Sequence, residues 1–339
     1  MERVKRQMKK KGLYVLDKNS YNLIYGSAER KDIENLVEII APVQDRSVVE
    51  KNPEILKDVE IIFSGWGSPK IDEKVLAAAP NLEMVFYGAG SIKGIVTEAF
   101  WDRGIRITSA YAANGIPVAE YTLSQILFSL KRGWHFALSI KNQAQYPSKI
   151  EGIIGAYGST VGIISLGMIG RYVCNLLKPF DIQVIAYDPY ASNELAMELN
   201  VELCSLDEIF QRSHVVSLHT PWLPETEGMI TGRHFSLMKK YATFINTARG
   251  AVVREDEMIE VLRTRQDLQA VLDVTWPEPP DPNSPLYTLP NIVLTPHIAG
   301  SLGKECNRMG RYMVEELERY LKGDELKWEI TRDKAAILA

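Results

Sequence analysis

Residues Val161-Gly-Ile-Ile164 form an apolar run that passes into Ser165-Leu-Gly167-Met-Ile-Gly170 and then into a helix-like stretch through Leu177. Strand, glycine turn and helix in that order are what a dinucleotide site needs, because the free N–H groups at a helix start can hold a pyrophosphate. Gly167 lets phosphates approach the backbone, and Gly170 lets helix and strand pack closely. Asp188 ends the next apolar run, about 20 residues further on, where a carboxylate accepts hydrogen bonds from both adenosine ribose hydroxyls. Taken alone, Asp188-Pro189 reads equally well as a turn. Its distance from Gly167 and Gly170 favours the cofactor reading. The same carboxylate repels a 2′-phosphate, so the expected cofactor is NAD rather than NADP. Ser165 stands where the pattern ordinarily has its first glycine.

Further segments carry a second kind of chemistry. Val161 to Arg171, His219-Thr-Pro221, Pro224-Glu-Thr-Glu-Gly-Met-Ile230, Ile245-Asn-Thr-Ala-Arg-Gly250, Leu272-Asp-Val274, Glu278-Pro279, Ser284-Pro-Leu286 and Thr295-Pro-His-Ile-Ala-Gly300 follow one another in order. Together they resemble the D-isomer-specific 2-hydroxyacid dehydrogenase family, over roughly Gly88 to Gly300. The resemblance implies an NAD-dependent oxidoreductase acting on a small 2-hydroxy or 2-oxo carboxylic acid, with D stereospecificity.

That reaction requires a cation to fix the carboxylate and polarise the ketone, a proton donor beside the ketone oxygen, and a hydride donor on its face. The resemblance assigns the cation to Arg249, whose guanidinium fork can bind a carboxylate bidentately. It assigns the acid/base role to His297 and makes Glu278 the carboxylate that orients this imidazole and favours its protonated form. Asp273 is implied to bond the nicotinamide carboxamide. Thr220, Thr247 and Ala248 would line the cofactor cleft mainly through backbone, Arg249 and His297 would face the nicotinamide, and Met168 and Ile169 would present amides to the pyrophosphate. Gly88-Ala89-Gly90-Ser91 resembles the glycine turn whose amides hold the substrate carboxylate. Of the other histidines, His219 is expected near the cofactor cleft in a structural role, and His135, His214 and His234 on the surface or in packing.

These groups need elements to position them. Short aliphatic runs at Leu13 to Leu16, Val59 to Phe63, Met84 to Tyr87 and Ile105 to Thr108 alternate with helix candidates at Ala28 to Glu38 and Ile71 to Ala78, the pattern of a parallel sheet. A second series, Thr160 to Ile164, Gln183 to Tyr187, His214 to Leu218, Ala242 to Ile245, Ala270 to Leu272 and Ile292 to Leu294, matches a six-stranded Rossmann sheet. Between them, Val118 to Ile140 reads as one long helix with Pro117 in its first turn. Glu305 to Leu321 reads as a helix stopped at Gly323, after which Lys327 to Ile330 could return to the first lobe as a strand. The successive prolines from Pro277 to Pro285 make a loop.

The expected fold is therefore α/β, with two Rossmann-like, doubly wound parallel-sheet domains. A discontinuous, flavodoxin-like substrate domain (residues 1–116 and 305–339) has the NAD-binding domain (117–304) inserted in it, and closure of the two would exclude water.

With 339 residues, 39 basic against 43 acidic side chains and a net charge of -4, the chain lacks the positive field that nucleic-acid or anionic-membrane binding needs. No apolar run approaches the roughly 18 residues of a membrane span. Cys174, Cys204 and Cys306 are odd in number and lack metal or disulfide spacing, so no metal site is expected and the compartment reads as cytoplasmic. Arg3, Lys5, Arg6, Lys9, Lys10 and Lys11 read as a solvated arm. The long helix, extended through Trp134 and Phe136, suits a homodimer interface.

Ser91-Ile-Lys93 and Tyr121 depart from common family patterns and leave the acid unidentified, and Trp66 and Lys70 are further candidates to shape the pocket. The competing reading is an NAD-sensing binding protein on the same fold with little turnover.

Overall fold

The computed structural model describes residues 9–144, 146–148 and 152–337. The chain divides into two compact units: one is built from both chain ends, up to Asn114 and from Ser301 onward, and the other runs from Gly115 to Gly300.

Five short strands form the first unit's sheet: β1 (Lys11–Val15), β2 (Glu38–Ile39), β3 (Ile61–Ser64), β4 (Met84–Tyr87) and β5 (Arg106–Ser109). They are parallel throughout, in the order β2-β1-β3-β4-β5, which is the flavodoxin-like order. Alternate residues of each strand face opposite sides. Leu13, Val15, Ile62 and Val85 therefore pack with Phe100 and Ile107, while Tyr14, Phe63, Met84 and Phe86 pack with Met309, Met313 and Leu317 of the helix Glu305–Lys322. Each of these buried side chains contributes about 1.5–3 kcal/mol, which ties the chain's last long helix to its first strands.

Two expectations change here. Lys11 opens β1 and pairs with Asp58, and Lys10 pairs with Glu60 and Glu83. These lysines anchor the strand's beginning instead of belonging to a free arm; Arg3, Lys5 and Arg6 lie outside the described residues. The return of the chain end is a single antiparallel bridge, Thr108 to Glu329, flanked by Ile330 N to Ile107 O at 2.9 Å and Ser109 N to Trp328 O at 3.1 Å. It does not extend to a full strand because the buried Glu316 carboxylate accepts the amides of Lys327 and Trp328.

The second unit has seven parallel strands where six were expected: β6 (Ser159–Ile164), β7 (Ile182–Tyr187), β8 (Glu202–Leu203), β9 (Val215–Leu218), β10 (Thr243–Asn246), β11 (Gln269–Leu272) and β12 (Ile292–Leu294). Their order is β12-β11-β10-β9-β6-β7-β8, which reverses direction between β6 and β9, the switch point at which nucleotides bind in such sheets. Two-residue β8 is too short to carry an alternating pattern.

The single helix expected from Val118 to Ile140 is two, Tyr111–Leu130 and Gly133–Gln143. Arg132 interrupts them in the left-handed region at φ 51°, with its guanidinium 4.3 Å from the centre of the Tyr241 ring. The second helix folds back on the first through Trp134 Nε1 to Gln125 Oε1 at 2.8 Å. Pro117 lies inside the first helix and not in its first turn, because small residues at Ala112 and Ala113 extend the helix backward without an apolar period.

Candidate active site

The cofactor turn leaves β6 at the switch point. Ser165 adopts φ 78° there, a conformation that costs a residue with a side chain about 1–2 kcal/mol, so serine takes the glycine turn without reshaping it. Its amide is held by Tyr187 O at 2.8 Å. The helix Met168–Leu177 starts directly after Gly167, which leaves Met168, Ile169 and Gly170 with the unpaired first-turn amides of any helix. At Gly167 nothing lies within 4 Å of the place a Cβ would take, whereas a Cβ at Gly170 would stand 2.1 Å from Ser165 O. One glycine keeps the approach open; the other lets the helix sit on its own turn.

Asp188, just past β7, is tied to that turn. Its Oδ2 accepts from Leu166 N at 2.7 Å and its Oδ1 from Tyr190 N at 2.8 Å, which fixes the carboxylate's direction and leaves each oxygen a further lone pair. At the end of neighbouring β9, His219 N donates to Ile164 O at 2.9 Å and its Nε2 lies 3.0 Å from Ser217 Oγ. Burial pushes this imidazole down to about 3, so it is neutral at any working pH. Its Nδ1 and the hydroxyl of Thr220 are buried without a partner among the described residues. Free helix amides, an open glycine and orphaned buried polar atoms are what a polar cofactor would satisfy, and the residues present fit NAD.

The second group of residues stands at the ends of β10, β11 and β12. Asn246 clamps the turn after β10: its Oδ1 accepts from Ala248 N and its Nδ2 donates to Arg249 O, both at 3.0 Å. Thr247 Oγ1 is 3.1 Å from Thr122 Oγ1. Arg249 donates from Nη1 to Ala248 O at 2.6 Å. Burial lowers the proton affinity of its guanidinium from the ordinary value, and the Glu278 charge acts in the opposite direction. Gly250 brings this turn against the next, since a Cβ there would lie 2.1 Å from the Thr275 carbonyl carbon.

In that neighbouring loop Glu278 Oε1 is 2.7 Å from His297 Nδ1. The ring's other nitrogen makes no hydrogen bond among the described residues. His297 itself adopts φ 55°, held by bonds from its amide to Asp273 O at 2.9 Å and Thr295 O at 3.0 Å.

Asp273, 2% exposed, does something that spacing gave no sign of. Its Oδ1 accepts from Thr295 Oγ1 at 2.6 Å and Ile298 N at 2.9 Å, and its Oδ2 from Ala299 N at 2.8 Å. Tyr121 OH extends the chain of contacts to Thr295 Oγ1 at 2.9 Å. Three donors occupy three of the carboxylate's roughly four lone-pair directions, so Asp273 braces the His297 loop and keeps one direction open. Arg249, Glu278, His297 and Asp273 thus stand together on one edge of one unit.

The first unit holds the remaining candidates. Gly88 N is used by Ser64 O at 2.9 Å, but the amides of Ala89, Gly90 and Ser91 make no hydrogen bond among the described residues. Successive amides without a partner in a partly buried turn are donors available to a ligand. Trp66 packs against both cores of this unit, which is a packing role, and Lys70 is exposed. Among the described residues no group of acidic, histidine and cysteine side chains could hold a metal, and no helix is long and apolar enough to cross a membrane.

Comparison with known proteins places this geometry in a wider set. Residues 124–299 match the family model described as D-isomer specific 2-hydroxyacid dehydrogenase, NAD binding domain. The D-3-phosphoglycerate dehydrogenase of Methanocaldococcus jannaschii is 32% identical over 85% of this chain and 54% of its own length; the chain spans about half the length of the first curated relatives it matches. A glyoxylate reductase from Korarchaeum cryptofilum is 30% identical over 84% of this chain and 85% of that one. The crystal structure of Aquifex aeolicus D-lactate dehydrogenase, complexed with NAD and lactic acid, superposes with a TM-score of 0.69 at 27% identity, covering 92% and 96% of the two chains. The turn between β6 and its helix is accordingly that of an NAD-binding domain, and the chain belongs to the D-isomer-specific 2-hydroxyacid dehydrogenase family.

Proposed function

We propose that the chain interconverts a small 2-oxo acid and the corresponding D-2-hydroxy acid, with NAD(H) as the redox partner. The observation that carries this reading is the carboxylate-braced imidazole, Glu278 to His297 at 2.7 Å, on the same edge as a mostly buried guanidinium. NAD, when bound, supplies or accepts the hydride. Arg249 binds the acid's carboxylate and polarises its ketone, and burial strengthens that interaction because little water competes for it. His297, oriented through Nδ1 by Glu278, gives the proton from its other ring nitrogen to the forming alkoxide and takes it back in the oxidation direction. The free amides of Ala89, Gly90 and Ser91 supply further donors to the carboxylate. Met168, Ile169 and Gly170 offer amides to the pyrophosphate, and Thr220, Thr247, Ala248 and Asp273 complete the cofactor side.

An NADH-oxidation screen against pyruvate, glyoxylate, hydroxypyruvate and longer branched 2-oxo acids tests this reading. Turnover of at least one acid is expected; tight NADH binding with no oxidation by any of them would favour a cofactor sensor instead. For Asp188→Ala, loss of the ribose acceptor and of the negative charge is expected to lower the NADH-over-NADPH ratio of kcat/KM by at least about tenfold, since a charge-assisted hydrogen bond contributes about 1.5–3 kcal/mol. An unchanged ratio would remove Asp188 from the cofactor site.

The reading extends to a homodimer in the cytoplasm. The helix Gly133–Gln143 buries none of its side chains fully within the chain, although it carries Trp134, Phe136, Leu138 and Ile140, and a second copy could cover that surface. Sedimentation of the protein as a monomer at micromolar concentration would remove this part. The compartment rests on the three free cysteines.

A further inference from the structure

The loop with free amides does not hold itself in place. Ala89 and Gly90 are the residues whose carbonyls must point away if the amides of Gly90 and Ser91, which share their peptide planes, are to point toward a ligand, and both carbonyls end on one hydroxyl. Ser109 Oγ, at the end of β5 beside β4, lies 2.8 Å from Ala89 O and 2.5 Å from Gly90 O. It also accepts from Tyr111 N at 3.2 Å. Ser109 is fully buried, so no water can replace it without rearrangement, and its own amide is fixed by Trp328 O at 3.1 Å from the returning chain end. On the loop's other side the hydroxyl of fully buried Tyr25 donates toward Ser64 O at 2.9 Å and Phe86 O at 3.2 Å, which sets the strand ends from which the loop departs.

We propose that Ser109 is a positioning residue for the substrate's carboxylate: its hydroxyl, shared between two carbonyls, turns the Ala89–Gly90 and Gly90–Ser91 peptides so that the N–H groups of Gly90 and Ser91 are presented to an anion. This rests on the functional reading above. A hydroxyl has a single proton, so removal strips both carbonyls of their donor at once, and the peptides are then free to rotate the N–H groups out of register. The consequence belongs to binding of the acid and not to the cofactor, because Ser109 lies in the first unit and the NAD turn in the second.

The test is steady-state kinetics of Ser109→Ala and Ser109→Thr with the best acid from the screen, alongside NADH titration and thermal melting of each variant. For Ser109→Ala the expected result is a KM for the acid raised at least tenfold, kcat within about threefold, and unchanged NADH affinity. Ser109→Thr keeps the hydroxyl and is expected to restore KM to within about threefold of wild type. An unchanged KM in Ser109→Ala overturns the proposal. So does a parallel fall of kcat, NADH affinity and melting temperature in both variants, which would mark Ser109 as a packing residue. If the wild-type protein reduces no acid, the functional reading itself fails; if it does and only KM fails to move, this inference fails alone.

Discussion

Alanine at position 249 is expected to lower kcat/KM for the 2-oxo acid by about a thousandfold or more, with NADH affinity kept within about threefold. The size follows from what is lost. A single preorganised donor to a developing oxyanion contributes about a hundred- to a thousandfold, and a guanidinium engages both the carboxylate and the ketone. The selectivity follows from placement: Arg249 donates to Ala248 O, whereas the helix amides and Asp188 proposed for the cofactor stand on the turns after β6 and β7. Lysine at the same position keeps the charge but not the planar fork, so Arg249→Lys should recover only a small part of the rate. Thermal stability provides the control. Burial already disfavours this cation, so its removal should leave the melting temperature unchanged or slightly higher. A large drop in melting temperature with modest loss of rate would show that Arg249 is structural.

His297→Ala is the second large effect. Loss of a positioned general acid typically lowers a rate by about a hundred- to ten-thousandfold, and here kcat should fall by about a thousandfold while NADH still binds. The backbone of the loop does not depend on the imidazole, because Asp273 holds the amides of Ile298 and Ala299 and its own carbonyl accepts from His297 N. The loss is therefore chemical and not a collapse of the loop. Glu278→Gln should cost less, about ten- to a hundredfold, because glutamine can still accept a hydrogen bond from Nδ1 but carries no charge to balance the imidazolium. A Glu278→Gln variant as impaired as His297→Ala would mean that the carboxylate takes part in the chemistry directly.

The contrast between these residues and Asp273 shows what the sequence can and cannot convey. Arg249, Glu278 and His297 lie in contiguous segments that resemble the family's, so they could be proposed from sequence alone, and the strand, turn and helix around Gly167 and Gly170 were legible there. Asp273 was legible only as a cofactor contact. Its three bonds within the His297 loop depend on a left-handed residue at His297, which composition does not reveal. Ser109 was invisible for a related reason: a serine at a strand end has no signature, and its importance comes from parallel pairing that places β5 beside β4.

The architecture divides in the same way. Aliphatic runs disclosed most of the strands because a buried parallel sheet demands them, while β2 and β8, two residues each, leave no period. The helix break at Arg132 depends on contacts with Gln125 and Tyr241, and a single apolar stripe running through Leu130 and Leu138 conceals it.

The central claim is that hydride transfer to a 2-oxo acid occurs on this protein, and a single-turnover experiment tests it without depending on turnover rate. The protein is saturated with NADH and mixed with excess of the best acid from the screen, and the nicotinamide absorbance is followed while the product is resolved by chirality. Loss of one equivalent of NADH per bound cofactor, with formation of an equal amount of the D-hydroxy acid, is the predicted result. NADH that stays bound and unoxidised, or a product of L configuration, would contradict the account.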